Sequence, residues 1–311
     1  MNGHSKISII GAGSVGATAA FSIAQKHLAR ELVIIDVNND KAEGEAMDIN
    51  HGLITIGRMN IHSGSYADIK DSDIIVVAAG LGRKPGETRL DLASKNIGIA
   101  KDIAANIMQH YNGGVILVVS NPVDIMTYVI LKETGLPAGK VFGSGTVLDS
   151  ARFRYMLAKQ LNADIRNIHG FMGGEHGESQ FAVWSSVHVS GMKLDSYCAK
   201  MGVAIDKDAL VDDIIGLGAQ VIKRKGVTNF AIAAIVAELC STIMSDSGSI
   251  FNVTSLLDDY YGVNNVCVSV PCILGKEGVI DHLPYDFSAE ELTKLRKSAD
   301  GLRDFMDQLG L

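Results

Sequence analysis

The sequence predicts an α/β protein, with a doubly wound parallel sheet in its first half and a mixed α+β domain in its second. Three observations predict this fold. Short apolar runs alternate with helical patterns from residue 6 onwards, a glycine-rich turn joins the first strand to the first helix, and the alternation stops near residue 145. We therefore expect an N-terminal domain over residues 1–145 and a C-terminal domain over residues 146–311.

Composition and charge narrow the class of protein. Hydrophobic residues make up 47% of the 311 residues, which suits a folded chain with a large core. The net charge is −7 and no basic run stands out, so a nucleic-acid partner is not expected. No apolar run is long enough for a membrane span, and the cysteines show no metal-ligand spacing. We expect no bound metal, no membrane partner and a cytoplasmic protein with free thiols.

The first strand–turn–helix unit carries a nucleotide-binding pattern. An apolar strand over residues 6–10 runs into G-x-G-x-x-G, formed by Gly11, Gly13 and Gly16. Gly11 allows the tight turn, Gly13 lets a pyrophosphate approach the backbone, and Gly16 lets the helix pack on the strand. Asp36 follows the next apolar strand, 20 residues after Gly16, where it can accept both ribose hydroxyls and repel a 2′-phosphate. This unit predicts NAD as the cofactor, in preference to NADP.

The remaining elements of the first half keep the alternation. Helices are predicted near residues 15–27, 41–51, 89–110 and 123–134, and strands over 32–35, 74–79, 115–119 and 141–142. Ligands of such sheets bind beyond the carboxyl ends of the strands. Segment 80–89 begins at one such end and contains Arg83 and Arg89, so it is a candidate lid over an anionic substrate. Asn121, at the next end, can bind the ribose or a substrate oxygen, or cap the following helix.

The second half mixes helices and strands. We predict a helix over residues 148–161, a helical region over 208–244 with an interruption at 225–228, strands over 184–190 and 267–274, and a last helix over 288–309. Asp149 and Arg152 are three residues apart on the first of these helices and share one face. The apolar faces of this half are extensive for a soluble domain, which favours a homo-oligomer.

His176 is the best candidate for a general acid/base. It lies in a glycine-rich stretch over residues 170–179, with Glu175 before it and Glu178 two residues after it. An imidazole titrates near neutral pH, so a small change of environment lets it give or take a proton.

These residues belong to motifs that resemble one family. Five segments occur in the order found in L-lactate and malate dehydrogenases, and together they extend over most of the chain. They are Gly-Ala-Gly-Ser-Val-Gly at 11–16, Lys-Pro-Gly-Glu-Thr-Arg-Leu-Asp-Leu at 84–92, Ser-Asn-Pro-Val-Asp at 120–124, Gly-Ser-Gly-Thr-Val-Leu-Asp-Ser-Ala-Arg-Phe-Arg at 143–154 and Gly-Glu-His-Gly-Glu-Ser at 174–179. The resemblance implies an NAD-dependent enzyme that transfers a hydride between the nicotinamide and a small 2-oxo or 2-hydroxy acid.

The resemblance also implies roles for single residues. His176 would be the proton donor and acceptor, and Asp149 would orient its ring and stabilise the protonated form. Arg152 would bind the substrate carboxylate with two hydrogen bonds, and Arg89 would polarise the carbonyl group. Physical chemistry agrees, because hydride addition to a carbonyl carbon places negative charge on oxygen, which cations and a proton donor stabilise.

The sequence contains features of both the malate and the lactate side of the family, so they have to be weighed to predict the substrate. Arg83 resembles the malate side of the family, where an arginine pairs with the second carboxylate of oxaloacetate. Glu175, the segment at 87–90 and Thr228 resemble the lactate side. Three features outweigh one, so we predict pyruvate and L-lactate as the substrate pair, with Thr228 at the substrate. Segments 179–181 and 228–230 also resemble dehydrogenases of branched acids such as 2-hydroxyisocaproate, and a non-catalytic NAD-binding sensor is the alternative outside enzymes.

Two further expectations concern partners. Arg154 and His169 resemble the positions that bind fructose 1,6-bisphosphate between subunits in many bacterial relatives, so this effector is a candidate ligand. The same resemblance favours a homotetramer or homodimer.

Overall fold

The computed structural model describes residues 5–82 and 88–311, without the side chain of Arg89. The strands are β1 (Lys6–Ile10), β2 (Glu31–Ile35), β3 (Asn60–Ser63), β4 (Ile74–Val77), β5 (Val115–Val118), β6 (Val141–Gly143), β7 (Ile168–Gly173), β8 (Phe181–Val189), β9 (Met192–Lys193), β10 (Ser249–Leu257), β11 (Val266–Gly275) and β12 (Gly278–His282). The helices are α1 (Ser14–Gln25), α2 (Asn39–His51), α3 (Leu53–Ile56), α4 (Arg89–Met108), α5 (Val123–Thr134), α6 (Val147–Leu161), α7 (Leu194–Met201), α8 (Lys207–Lys225), α9 (Phe230–Ser245) and α10 (Ala289–Gln308). Short 3₁₀ turns cover Tyr66–Ile69, Ala138–Lys140 and Ile165–Asn167.

The first six strands form a parallel sheet in the order β3-β2-β1-β4-β5-β6. Four of them, β1, β4, β5 and β6, are buried along their whole length, because helices cover both faces and every residue meets apolar neighbours. The strand order reverses between β1 and β4, which is where such folds bind ligands. The predicted doubly wound parallel sheet is confirmed.

Strands from the second half extend this sheet. β10 lies beside β6, and β11 and β12 continue the same sheet in antiparallel pairing, so it has nine strands. The sequence predicted β11 but neither β10 nor β12. The middle of β10 contains Asn252, Thr254 and Ser255, all buried, so the apolar pattern that marks a strand is interrupted there.

A second, smaller sheet completes the C-terminal half. It contains β7, β8 and β9 in antiparallel order, packed against α6. A separate apolar core lies beneath it, with Phe153, Leu157 and Ile168 fully buried. This core holds α6 and β7 in a fixed relation, and both carry residues of the predicted site.

The helices of the second half pack on the first half as well. The region over residues 208–244 contains two helices, because α8 ends at Lys225 and α9 begins at Phe230. The expected interruption therefore lies between them. α9 packs along α1, where the Asn229 amide donates to the Thr18 hydroxyl at 2.9 Å. Among the described residues, no helix is long and apolar enough to cross a membrane.

Candidate active site

A cleft of about 800 Å³ lies at the carboxyl ends of β4, β5 and β6. It is bordered by the first turn of α1, by α6, by the His176 loop and by α8. Its walls include Val15, Gly80, Asn121, Arg152, His176, Gly218, Ile222, Lys223 and Thr228. Asn121, Arg152, His176 and Thr228, which the sequence predicted for ligand binding and catalysis, therefore line one cavity. Val15 brings the glycine-rich turn to its wall, whereas Gly11, Gly13, Gly16 and Asp36 are not among the lining residues.

The glycine-rich turn has the geometry of a dinucleotide cradle. Gly11 has a φ of +107°, and a Cβ there would lie 2.6 Å from the Ala79 nitrogen. A Cβ on Gly16 would lie 1.8 Å from the Gly11 carbonyl oxygen, so only glycine allows α1 to begin so close to β1. Around Gly13, by contrast, a Cβ would meet nothing within 4 Å. The backbone is therefore open at the one position where a pyrophosphate has to approach.

Two further observations fit NAD at this turn. No described side chain caps the N-terminus of α1, so its first N–H groups can receive an anion. Asp36 is held at the edge of the turn, because its Oδ2 accepts the Ala12 N–H at 2.6 Å and its Oδ1 accepts the Asn38 N–H at 2.9 Å. Each oxygen keeps a lone pair for a ribose hydroxyl. The turn therefore fits the pyrophosphate and an unphosphorylated ribose.

One buried carboxylate holds two of the other predicted catalytic side chains. Asp149 Oδ2 accepts the Nδ1–H of His176 at 2.6 Å, and Asp149 Oδ1 accepts a hydrogen bond from Arg152 Nη1 at 3.0 Å. The Asp149 side chain is 1% exposed, whereas 24% of the His176 side chain reaches the cleft. Nε2 of the imidazole and the remaining N–H groups of the guanidinium are thereby left for a ligand.

The charges of Asp149, His176 and Arg152 interact with one another. Burial opposes ionisation of Asp149, but the adjacent His176 and Arg152 outweigh it and hold the pKa of this carboxyl below its usual value. Burial also disfavours a charged His176, yet Asp149, with a smaller contribution from Asp124, raises the pKa of the imidazole above its ordinary value. The imidazole can therefore hold a proton at neutral pH and release it to a reacting oxygen.

Sequence reasoning missed Asp124, a second carboxylate at His176. It lies in the first turn of α5, is 3% exposed, and its Oδ2 accepts the backbone N–H of His176 at 2.8 Å. Asp124 is the one carboxylate in the buried, mostly apolar stretch 123–131 of α5, and this is a signal that could have identified it. Glu175, the neighbour that the sequence suggested, accepts the Ser179 hydroxyl instead, at 2.6 Å.

The other predicted cleft residues lie in different settings. Asn121 is exposed at the cleft, and its carbonyl oxygen accepts a hydrogen bond from the buried Asn96 amide at 2.8 Å. Thr228 also lines the cleft, just before α9. Arg83 lies outside the described residues, as does the central part of the predicted lid, and of Arg89 only the backbone, at the start of α4, is described.

Arg154 and His169 lie next to each other, away from the cleft lining. Arg154 Nε donates to the carbonyl oxygen of Ile168 at 2.7 Å, and His169 follows as an exposed residue of β7. His188 is directly opposite His169 on β8, and Lys193 is opposite His188 on β9. This surface therefore brings His169, His188 and Lys193 into one row across the small sheet, next to Arg154 of α6.

Two family models match the chain, and together they cover nearly all of it. The model described as lactate/malate dehydrogenase, NAD binding domain, matches residues 5–143, and the model described as lactate/malate dehydrogenase, alpha/beta C-terminal domain, matches residues 146–309. The chain belongs to the lactate/malate dehydrogenase family. NAD is accordingly its cofactor, and it is an oxidoreductase of 2-hydroxy acids.

Individual members of the lactate/malate dehydrogenase family match over the full length. The L-lactate dehydrogenase of Thermoanaerobacter sp. (strain X514) is 45% identical over 309 residues, which cover 98% of this chain and 99% of that one. The L-lactate dehydrogenase of Thermoanaerobacterium saccharolyticum is 44% identical, with 99% and 100% covered. A solved L-lactate dehydrogenase from Clostridium thermocellum superposes with a TM-score of 0.87 at 46% identity, over 98% of this chain and 99% of that one.

Proposed function

We propose that the chain is an NAD-dependent L-lactate dehydrogenase, which interconverts pyruvate and L-lactate. The observation that carries the proposal is the arrangement of His176 and Arg152 on the two oxygens of Asp149, beside the cofactor cradle. The relatives with full-length similarity support the choice of substrate, since they are named L-lactate dehydrogenases. The malate, branched-acid and sensor alternatives have no such support.

The nicotinamide, when bound, supplies the hydride for the reduction and accepts it in the oxidation. The chain supplies the proton. In the reduction, protonated His176 donates from Nε2 to the carbonyl oxygen of pyruvate as negative charge develops there. Asp149 holds Nδ1–H, which fixes the tautomer and the ring orientation and stabilises the imidazolium before transfer. In the oxidation, the neutral ring takes the hydroxyl proton of L-lactate.

Arg152 orients the substrate for this transfer. Its guanidinium is 16% exposed and is already tied to Asp149 through Nη1, so the remaining donors have a fixed direction. Two parallel N–H groups match the geometry of a carboxylate, and such a pair presents one face of the keto acid to the cofactor. Arg89 remains our proposal for the group that polarises the carbonyl oxygen, on the ground of sequence alone.

The proposal is tested by substrate preference. Purified protein with NADH should consume the cofactor on addition of pyruvate, with a kcat/KM at least about tenfold above those for oxaloacetate and 2-oxoisocaproate, as the relatives named L-lactate dehydrogenase lead us to expect. The readout is loss of NADH absorbance. Absence of turnover with any of the three acids would favour an NAD-binding sensor instead.

Arg83 allows a sharper test of the same choice. If this residue contacts a second substrate carboxylate, Arg83→Gln should lower kcat/KM for oxaloacetate at least about tenfold while leaving that for pyruvate within about twofold, because one charge-assisted pair is lost. Steady-state kinetics with both acids measure it. Equal effects on the two acids would place the side chain outside the substrate pocket.

Three finer features complete the proposal. We propose a homotetramer or homodimer, supported by exposed apolar side chains such as Met47, Ile54 and Phe230. We propose fructose 1,6-bisphosphate as an effector at Arg154 and His169, supported by the position of Arg154 beside β7 and of Lys193 on the same small sheet. We propose a cytoplasmic location, supported by four cysteines that are all unpaired in the described part of the chain.

A further inference from the structure

A short linker between two helices forms part of the cleft wall. Residues 226–229 join α8 to α9, and the first three of them line the cavity that also contains Arg152 and His176. Thr228 is the linker residue that we place at the substrate. A shift of the linker would move Thr228 relative to the rest of the cavity, so whatever fixes the linker also shapes the substrate site.

Asn229, the last residue of the linker, does not use its side chain in the way its position suggests. It occupies the N-cap of α9, where an asparagine side chain usually accepts an N–H group of the first turn. Among the residues that the structure describes, the Asn229 side chain forms no such cap. Its amide group is therefore available for other partners.

The Asn229 amide connects the end of α8 to α1. Its Nδ2 donates to the Thr18 hydroxyl at 2.9 Å, and its Oδ1 accepts a hydrogen bond from Lys225 Nζ at 2.6 Å. The Thr18 hydroxyl donates its own proton to the Ser14 carbonyl oxygen at 2.6 Å, so it can only accept from Asn229. An ammonium group can only donate. Both partners therefore require the same orientation of the amide.

The helix that Asn229 contacts is the one that begins at the dinucleotide cradle. Thr18 lies one turn after Ser14, the first residue of α1, and Val15 of the same turn lines the same cavity as Thr228. The bond between Asn229 and Thr18 spans 211 residues of sequence. It therefore joins the substrate wall of the second half to the cofactor helix of the first.

The packing of α9 against α1 does not by itself require this bond. A second polar contact joins the end of α1 to α9 away from the cleft lining, where Lys26 Nζ lies 2.6 Å from Glu238 Oε2. Both of those side chains are exposed, so the ion pair contributes little. Asn229 and Thr18 are half-buried and lie next to the cavity, so their bond restricts the linker itself.

We propose that Asn229 is a positioning residue, which ties the linker that carries Thr228 to the cofactor-binding helix and so holds the substrate wall in place beside the bound cofactor. Its effect on catalysis rests on the proposed function. A loosened linker leaves His176 and Arg152 in place, because both are held by Asp149. The expected consequence is weaker binding of pyruvate with little change in the proton-transfer step.

The test is a double-mutant cycle on the two side chains that share the bond. Asn229→Ala and Thr18→Val should each raise KM for pyruvate about fivefold and leave kcat within about twofold, and the double variant should show no larger change than either single variant. Thr18→Ser restores the hydroxyl and should return KM to within about twofold of wild type. Steady-state kinetics with saturating NADH measure all four variants.

Glu238→Gln is the matched control, because it removes the exposed contact between the same two helices. We expect it to leave KM and kcat unchanged. The proposal is overturned if Asn229→Ala leaves KM unchanged, if Glu238→Gln raises it equally, or if the two single effects multiply in the double variant. Should Asn229→Ala not fold, Thr18→Val and Thr18→Ser decide, and equal KM values in these two variants overturn the proposal.

Hydrogen exchange followed by mass spectrometry gives a readout that needs neither cofactor nor substrate. The backbone amides of residues 226–229 should exchange about fivefold faster in Thr18→Val than in the wild-type protein, and at the wild-type rate in Glu238→Gln. Equal rates in Thr18→Val and wild type overturn the proposal. If the wild-type protein does not reduce pyruvate, the proposed function fails, while this measurement still decides whether Asn229 holds the linker.

Discussion

Replacing His176 with asparagine should lower kcat for pyruvate reduction by about 10²–10⁴-fold, because the general acid is lost while the rest of the cleft remains. Asparagine is close in shape, and its amide can still donate a hydrogen bond to Asp149, but it cannot transfer a proton near neutral pH. NADH binding, measured by fluorescence titration, should change by less than about twofold, because the cradle lies at the start of α1. The kinetics are followed by NADH absorbance at saturating pyruvate.

A matched control uses a histidine outside the cleft. His51 is exposed in the last turn of α2. We expect His51→Asn to keep wild-type kcat and KM. If His176→Asn retained kcat within about tenfold of wild type while binding NADH normally, another group would have to be the acid, and the assignment of His176 would be wrong.

Replacing Arg152 with lysine should raise KM for pyruvate by about 100-fold and lower kcat by about tenfold, a loss of about 4 kcal/mol in transition-state stabilisation. Lysine keeps the positive charge but carries it as a point charge on a flexible chain. It cannot bind a carboxylate with two parallel N–H groups, so it does not hold the keto acid in one orientation. Steady-state kinetics over a wide pyruvate range separate the two parameters.

Arg166 provides the control for Arg152. It also pairs with an aspartate, Asp164, through two nitrogens, but its side chain is 86% exposed and far from the cleft lining. Arg166→Lys should leave the kinetics unchanged, because an exposed pair contributes little. Near-normal kinetics in Arg152→Lys would refute the carboxylate clamp.

Five of the six strands of the parallel sheet could be predicted because they are short, mostly apolar and separated by clear helices, whereas β3, with the sequence Asn-Ile-His-Ser, could not. α5 begins and ends at the predicted residues, and β1 does as well. β10 could not be predicted in this way. Its buried Thr254 and Ser255 form hydrogen bonds with Asp124 and with His282, contacts to residues as far as 130 positions away in sequence. A polar core strand of this kind has no local signature, since its partners exist only in the folded chain.

The residues of the candidate site also divide into those that the sequence predicted and one that it did not. Asp149, Arg152 and His176 could be selected from motifs, and the spacing of Asp149 and Arg152 on one helix predicted a shared face, on which the structure places them 3.0 Å apart. Asp124 lies in the motif at 120–124, but its contact with His176 could not be inferred from sequence, because it spans 52 residues and goes to the backbone, not to a side chain. The roles of His176 and Arg152 remain predictions for the experiments above.

The continuous sheet limits how this enzyme can admit its ligands. β10 of the second half lies directly beside β6 of the first, and a Cβ on Gly145, at the junction, would come within 2.5 Å of the Thr254 nitrogen. Separation of the two halves about a hinge would break the pairing of β10 with β6 and expose the backbone polar groups that this pairing buries. We therefore expect entry and exit of ligands to depend on the segments around the mouth of the cleft, and not on separation of the two halves.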